Sequence, residues 1–124
     1  MPSVFAFDVD ETIEISRGPV TLQMMADLRY QGHIVGLCGN WGLFCQVVSN
    51  WHQFVSFINL GLPKHEWLIH FRQILPHYDD YVLVGNVPGA KNRLGVVCGS
   101  DDIGAARAAS WRFLKEDDFA SGSR

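Results

Sequence analysis

The sequence predicts an α/β protein with a three-layer, Rossmann-like architecture, in which helices cover both faces of a parallel sheet. Three short apolar runs have the length of strands: SVFAF, HIVGLC and YVLVGN. Helical patterns of apolar residues separate these runs, and strands that alternate with helices pair in parallel. The runs are apolar at consecutive positions, which is typical of strands that are buried on both faces.

The composition indicates one globular domain, expected over residues 1–120, with a flexible tail over residues 121–124. Of the 124 residues, 48% are hydrophobic and 19% are charged, so the chain is expected to bury a core rather than stay disordered. The net charge of −3 gives no positive field for a membrane surface, and it leaves nucleic acid open as a partner only through a local basic patch. Three cysteines without a C-x-x-C pair favour a reducing, cytoplasmic location. No apolar run reaches the roughly 18 residues that span a bilayer.

The helices between these strands are predicted from apolar spacing and from capping residues. Thr21 is a plausible N-cap of the first helix, and Gly32 ends it. Apolar residues at helical spacing predict one helix from Leu43 to Asn59 and another from Lys64 to Leu75.

For the last third of the chain, the sequence leaves two interpretations open. VPGAKNRLGVVCGS is either a long loop or a loop that carries a short strand at GVVC. Ser100 and Asp101 can cap a final helix, and WRFL is predicted as the last strand.

Two aspartates, Asp8 and Asp10, follow directly after the first apolar run. In open parallel sheets, ligands bind beyond the carboxyl ends of the strands, which is where these residues are expected. Two neighbouring carboxylates repel each other unless a cation offsets their charge. Mg²⁺ prefers oxygen ligands and is often shared with a substrate phosphate. With such an ion present, one carboxylate can attack phosphorus while the other handles protons.

The stretch FDVDET resembles the D-x-D-x-T signature of the haloacid dehalogenase superfamily, whose members are mostly Mg²⁺-dependent phosphohydrolases. The resemblance implies that Asp8 is the nucleophile and forms an aspartyl-phosphate. It implies that Asp10 protonates the leaving group and then activates water, while its backbone carbonyl binds the metal. Thr12 would hold the geometry of the loop.

The second and third motifs of that superfamily have matching positions. A Ser or Thr normally ends the second strand, where this chain has Cys38, followed by Gly39 and Asn40; these three are the candidate substrate-binding residues. A thiol is a weak hydrogen-bond donor, so Asn40 is expected to take over part of the phosphoryl binding. Lys64 matches the family's catalytic lysine, and a cation at a helix amino terminus is best explained if it faces carboxylates and phosphate.

The fourth motif is normally Gly-Asp after a strand, with another Asp a few residues later. This chain has VLVGN, which places Asn86 where the first Asp is expected, and then GSDDIGAARAA after a longer loop. Asp101 or Asp102 is expected to supply the carboxylate. The resemblance thus makes Asp8, Asp10, Asn86, Asp101 and Asp102 the candidate metal ligands.

The resemblance also bears on the substrate. No segment is long enough to fold as a separate cap domain, and family members without a cap often take macromolecular substrates or use a neighbouring subunit as a lid. The expected partner is a phosphorylated substrate, open to being macromolecular, and the oligomeric state is left open. Trp41, just after the second strand, is a candidate to stack on a substrate ring.

Two other functions compete with the phosphatase. Because Cys38 and Asn86 replace groups that hold phosphate or metal, the chain could be a degenerate family member that binds a phosphorylated ligand without turnover. A receiver-like signalling domain would need a phosphoacceptor Asp near mid-chain. There is no Asp between Gly39 and His77, so the receiver is the weaker alternative.

Overall fold

A computed structural model of the protein, which describes residues 2–124, contains one sheet of five parallel strands. In the spatial order β3-β2-β1-β4-β5, the sheet comprises β1 Val4–Phe7, β2 Ile34–Leu37, β3 Phe57–Ile58, β4 Tyr81–Gly85 and β5 Arg112–Lys115. The helices are α1 Leu22–Tyr30, α2 Trp41–Val47, α3 Lys64–Ile74, α4 Asp102–Ala108 and α5 Glu116–Ala120, and 3₁₀ turns cover Glu14–Ser16 and Trp51–Gln53. The predicted α/β class with a parallel sheet is therefore confirmed.

Helices cover both faces of the sheet. Phe5 and Phe7 of β1 belong to an apolar cluster that includes buried residues of α1, α2 and α5. Val4 and Ala6 belong to a second cluster, which contains buried residues of α3 and α4. Because successive side chains of a strand point to opposite faces, the two clusters lie on opposite sides of the sheet. This is why β1 is apolar at every position.

The strand order places β1 at the centre of the sheet and reverses direction there. The chain runs from β1 outward to β3, and then returns to add β4 on the other side of β1. Phe7, the last residue of β1, is in register with Leu37 of β2 and Val84 of β4. The residues that follow these three strands therefore emerge together at the switch point, where ligands of open α/β sheets bind.

The predicted single helix from Leu43 to Asn59 is wrong. Helix α2 ends at Val47, and after the second 3₁₀ turn the chain forms β3, which pairs with β2 through Gly36–Phe57 and Leu37–Ile58. Ser49 and Asn50, a turn-forming pair, interrupt the helix after Val47. The residues beyond them are rich in aromatic and β-branched types that suit a strand. Pairing with β2 therefore overrides the helical spacing.

The other predicted boundaries agree with the structure. Thr21 caps α1, since its hydroxyl oxygen accepts a hydrogen bond from the Met24 amide at 3.2 Å. Asp101 caps α4 by accepting one from the Gly104 amide at 2.9 Å. Helix α3 begins at Lys64, and the predicted last strand is β5. Helix α5 is an addition that the sequence did not indicate.

The segment between β4 and α4, residues 86–101, is a long loop that we call the β4–α4 loop. One isolated antiparallel bridge, between Lys91 and Val97, is its regular element, so GVVC is not a strand of the sheet. Near its middle, Asn92 is 4% exposed. Its side-chain nitrogen donates to the carbonyls of Glu11 and Arg17, at 3.2 and 2.9 Å. This loop is thereby tied to the post-β1 loop, residues 8–20.

At the carboxyl terminus, the Arg124 guanidinium lies over the Phe119 ring, 3.9 Å from its centroid. The flexible tail at residues 121–124 and the single-domain boundary at residue 120 stay predictions. No helix within residues 2–124 is long and apolar enough to cross a membrane.

Candidate active site

The carboxyl ends of the three central strands bring several predicted residues to one edge. Asp8 follows β1, and its amide donates to the Val84 carbonyl of β4 at 2.9 Å. Cys38 follows β2, and its amide donates to the Phe7 carbonyl at 2.8 Å. Asn86 follows β4. The backbone ladder thus continues by one residue past the strands and fixes where these residues begin.

Lys64 joins two buried carboxylates at this edge. Its Nζ lies 2.8 Å from Asp8 Oδ1 and 2.6 Å from Asp102 Oδ1. The side chains of Asp8 and Asp102 are 3% and 0% exposed, whereas that of Lys64 is 27% exposed. Residues that are far apart in the sequence therefore form one charged cluster, in which Lys64 is the most exposed member.

Burial and the neighbouring charges together shift the pKa values of Asp8 and Lys64. Burial, and then the nearby Asp102 carboxylate, raise the pKa of Asp8 to about 7, although Lys64 acts in the opposite direction. For Lys64, burial alone would lower the pKa, but the Asp8 and Asp102 carboxylates outweigh it and raise the pKa above its usual value. Asp8 Oδ2 is buried and has no hydrogen-bond partner among the described residues. One oxygen of Asp8 is therefore held by Lys64 and the other is free.

Two glycines allow the backbone to approach these carboxylates. A Cβ atom at Gly39 would lie 2.5 Å from Asp8 Oδ1 and 3.0 Å from the Val9 amide nitrogen. A Cβ atom at Gly85 would overlap the Asp102 side chain, lying 2.7 Å from its carboxyl carbon. Any larger residue at either position would push a carboxylate away from Lys64.

Asn86 connects the post-β1 loop to Asp102. Its backbone amide donates to Asp102 Oδ2 at 2.8 Å, and its side-chain nitrogen donates to the Asp10 carbonyl at 3.1 Å. The Thr12 hydroxyl donates to the side-chain oxygen of Asn86. Both Thr12 and Asn86 are fully buried. Thr12 therefore holds Asn86, and Asn86 in turn holds the backbone at Asp10.

The side chain of Asp10 is held from two directions. Ser16 Oγ donates to Asp10 Oδ1 at 3.0 Å, and Asn40 Nδ2 donates to the same oxygen at 3.3 Å. The Asn40 side-chain oxygen also accepts from the Leu43 amide at 3.3 Å, which caps α2. A single side chain therefore begins α2 and contacts Asp10.

Within residues 2–124, two of the predicted residues form no side-chain hydrogen bond or ion pair with Lys64, Asp8 or Asp102. Cys38 is fully buried and packs with the apolar residues of the α3 and α4 face, and burial raises the pKa of its thiol to about 12. Asp101 is exposed and caps α4, whereas its neighbour Asp102 is the one that contacts Lys64. Trp41 begins α2 and is 38% exposed.

Sequence reasoning missed two residues of the site. Ser16 contacts Asp10 from within the post-β1 loop, and Asn92 holds that loop from the β4–α4 loop. The nearness of Ser16 to the acidic motif was its one signal. Asn92 had none, because its partners are backbone carbonyls about eighty residues away.

The oxygen atoms at this edge are the donors that a hard cation would need. Over residues 2–124, no three His, Cys, Asp or Glu side chains form a group that could hold a metal ion. The two buried carboxylates of Asp8 and Asp102 meet here, with the Asp10 carbonyl linked to them through Asn86. The free Asp8 Oδ2 is the oxygen that such an ion would satisfy.

No protein-family model, no curated protein and no solved structure matches this chain.

Proposed function

We propose that the protein is a Mg²⁺-dependent phosphohydrolase of the haloacid dehalogenase type, which cleaves a phosphate monoester through an aspartyl-phosphate on Asp8. The observation that carries this proposal is the Lys64 ammonium group shared by the buried carboxylates of Asp8 and Asp102. It lies at the switch point of a parallel sheet, beside Asp8 Oδ2, a carboxylate oxygen with no hydrogen-bond partner within residues 2–124. Charge clusters of this kind are common at catalytic sites.

The reaction has two steps. In the first, an Asp8 carboxylate oxygen forms a bond to phosphorus and the ester P–O bond breaks. The leaving oxygen keeps the electron pair of that bond and receives a proton from the Asp10 carboxyl group. In the second, water attacks the aspartyl-phosphate at phosphorus and gives a proton to the Asp10 carboxylate. Inorganic phosphate is released, and Asp8 is restored.

Lys64 has two roles in this mechanism. Its positive charge favours the ionised form of Asp8 against the effect of burial on the Asp8 pKa, because an opposite charge at hydrogen-bond distance favours the charged form of a carboxyl group. It also brings a positive charge to the side where the phosphoryl oxygens would lie, which stabilises their negative charge.

The donor set suits Mg²⁺, which binds oxygen atoms and keeps several waters. The Asp8 carboxylate, the Asp10 carbonyl and the Asp102 carboxylate would hold the ion, with Asn86 beside them. Asp101 is left out of this set because it is exposed and caps α4. When bound, Mg²⁺ supplies positive charge that offsets the phosphoryl group.

Two observations favour the second candidate, a module that binds a phosphorylated ligand without turnover. The Asn86 side chain directs an N–H group at the Asp10 carbonyl, and a donor there competes with a cation for that oxygen. Cys38, in place of the family's Ser or Thr, is buried with its thiol protonated. Both features weaken metal or phosphoryl binding relative to the family pattern.

Two features disfavour the receiver. Asn59, not Asp, follows β3, and β3 lies at the edge of the sheet instead of beside β1. In the flavodoxin-like order of receivers, the third strand is next to the first.

The two candidates are separated by an assay with p-nitrophenyl phosphate and Mg²⁺. We expect metal-dependent release of p-nitrophenol by the protein, and a loss of about 10²-fold or more in Asp8→Asn and Asp10→Asn. Asp118→Asn, an exposed carboxylate on α5, is the matched control and should keep the activity. If a broad panel of phosphate esters gives no turnover while Mg²⁺ still binds by calorimetry, the binding module is the correct function.

A further inference from the structure

We infer that Ser16 and Asn40 are positioning residues for Asp10, which together fix the carboxyl group so that one oxygen is left to carry the proton for the leaving group. This inference rests on the proposed phosphohydrolase function. It assigns a role to two residues from different parts of the chain, the post-β1 loop and the N-cap position of α2.

The two donors converge on one atom. Ser16 Oγ and Asn40 Nδ2 both donate to Asp10 Oδ1, at 3.0 and 3.3 Å. Within residues 2–124, no hydrogen bond to the other oxygen, Oδ2, is present. A carboxyl oxygen offers two lone pairs, and these donors use both of them on Oδ1. The proton of the acid form therefore resides on Oδ2, and its direction is set by the two contacts.

Each donor is itself held in place. The second polar atom of the Asn40 amide, Oδ1, accepts from the Leu43 amide and so fixes the group against the start of α2. The Ser16 carbonyl accepts from the Glu11 amide at 2.8 Å, which closes the segment between Asp10 and Ser16. Side chains whose own orientation is fixed can hold a third group in a productive geometry.

Asn92 reinforces the same segment from the β4–α4 loop. Its side chain binds the carbonyls of Glu11 and Arg17, which are the residues immediately after Asp10 and Ser16. The backbone on both sides of the Ser16–Asp10 contact is therefore clamped from outside, and the contact does not depend on the post-β1 loop alone.

A positioning role has a consequence that a structural role lacks. The Asp10 proton is needed most when the leaving oxygen is strongly basic, as in an alkyl ester, and least when it is a weakly basic phenolate. Loss of orientation should therefore slow cleavage of an alkyl phosphate far more than cleavage of an aryl phosphate. General damage to the site would slow both reactions by the same factor.

Three variants separate the contact from the fold. Ser16→Ala removes one donor, and Ser16→Thr restores a hydroxyl group. Asn40→Asp keeps an oxygen to cap α2, since Asp and Asn are both good N-caps, but it replaces the donor by a carboxylate. Asn50→Asp is the matched control, because Asn50 is also exposed and precedes a 3₁₀ turn.

The measurement is kcat/KM for p-nitrophenyl phosphate and for ethyl phosphate with saturating Mg²⁺. This constant reports formation of the aspartyl-phosphate, before the hydrolysis step that all substrates share. In Ser16→Ala and Asn40→Asp, we expect kcat/KM to fall about tenfold or more for ethyl phosphate and less than about threefold for p-nitrophenyl phosphate. Ser16→Thr should recover most of the loss, and Asn50→Asp should behave as the unmodified chain. Circular dichroism establishes that each variant is folded.

An equal loss on both esters, or no loss on either, overturns the positioning role while leaving the phosphohydrolase in place. Absence of turnover of both esters by the unmodified protein instead contradicts the proposed function, and the positioning role with it. The two failures are therefore distinguishable from the same set of rates.

Discussion

At the scale of single residues, Lys64 is the side chain on which the candidate site depends. Two buried carboxylates share its ammonium group, and a buried charge is tolerated only when it is paired and hydrogen-bonded. Removing Lys64 leaves two like charges together in a place that water reaches poorly. The ammonium group of Lys64 is thus the positive charge that pairs with both of these carboxyl groups.

We expect Lys64→Met to lower the free energy of unfolding by about 3 to 5 kcal/mol at pH 8, the cost of breaking a buried ion pair. Without the lysine, the buried negative charge of Asp8 can be removed only by binding a proton. The loss should therefore be smaller at pH 5 than at pH 8, which urea unfolding at both values measures. Lys91→Met, in an exposed part of the β4–α4 loop, is the control. A loss below about 1 kcal/mol, the range of exposed ion pairs, would show that the cluster is solvated.

The adjacent pair Asp101 and Asp102 offers a second comparison at this scale. Asp102 contacts Lys64 and the Asn86 amide, whereas Asp101 caps α4 in an exposed position. Under the proposed function, Asp102→Asn should reduce turnover of p-nitrophenyl phosphate by about 10²-fold, as expected when a site residue is displaced. Asp101→Asn should retain turnover, because Asn also caps helices well. Equal losses in the two variants would contradict this assignment.

At the scale of elements, the strands that carry the site could be predicted and β3 could not. SVFAF and YVLVGN are apolar at consecutive positions because helices cover both faces of the sheet. Their burial therefore leaves a pattern in the sequence from which these strands can be predicted. Strand β3 has two residues and lies at the edge of the sheet. Its pairing with β2 cannot be predicted from a local sequence pattern. The same applies to the site: the sequence predicted Asp8 and Lys64, and Asp102 only as an alternative to Asp101. It did not predict Ser16 and Asn92, because their partners are set by the tertiary fold.

The contacts of Asn92 show how strongly the β4–α4 loop supports the post-β1 loop. Besides its two donated hydrogen bonds, the Asn92 side-chain oxygen accepts from the Leu94 and Val96 amides, at 2.9 and 3.2 Å. We expect Asn92→Ala to lower the free energy of unfolding by about 2 to 4 kcal/mol, since each buried polar group left unpaired costs about 1 to 3 kcal/mol. Urea unfolding measures this value.

Asn50→Ala, at an exposed position before the second 3₁₀ turn, is the matched control and should change the free energy of unfolding by less than about 0.5 kcal/mol. If Asn92→Ala were as mild as this control, water would be replacing its hydrogen bonds and the two loops would not be coupled.

At the scale of the whole molecule, the protonation of a buried acid makes the stability of the fold depend on pH. Besides Asp8, one other buried carboxyl group has a raised pKa, that of Glu116, the first residue of α5. Glu116 is fully buried, and neither of its carboxylate oxygens has a hydrogen-bond partner among the described residues. Burial raises the pKa of Glu116 to about 7, with Asp117 and Asp102 acting in the same direction, although its own backbone amide and Lys115 oppose the shift. Phe119, three residues later, is buried in the apolar cluster on the face of the sheet that contains Phe5 and Phe7. The docking of α5 therefore includes a carboxyl group that prefers to be neutral.

The sign of the pH dependence follows from this preference. The pKa of Glu116 is higher in the folded chain than the ordinary value of 4.5, so between these two pKa values the folded state holds a proton that the unfolded state has lost. The free energy of unfolding is therefore highest below pH 4.5 and falls by about 3 kcal/mol in all as the pH rises to about 7. Glu116→Gln carries no titrating group, and its free energy of unfolding should fall less than that of the unmodified protein between pH 5 and pH 8. Because Asp8 titrates with the same sign, the difference between the two urea curves isolates Glu116. Identical slopes would mean that Glu116 is hydrated and ionised in the fold, with α5 docked by Phe119 alone.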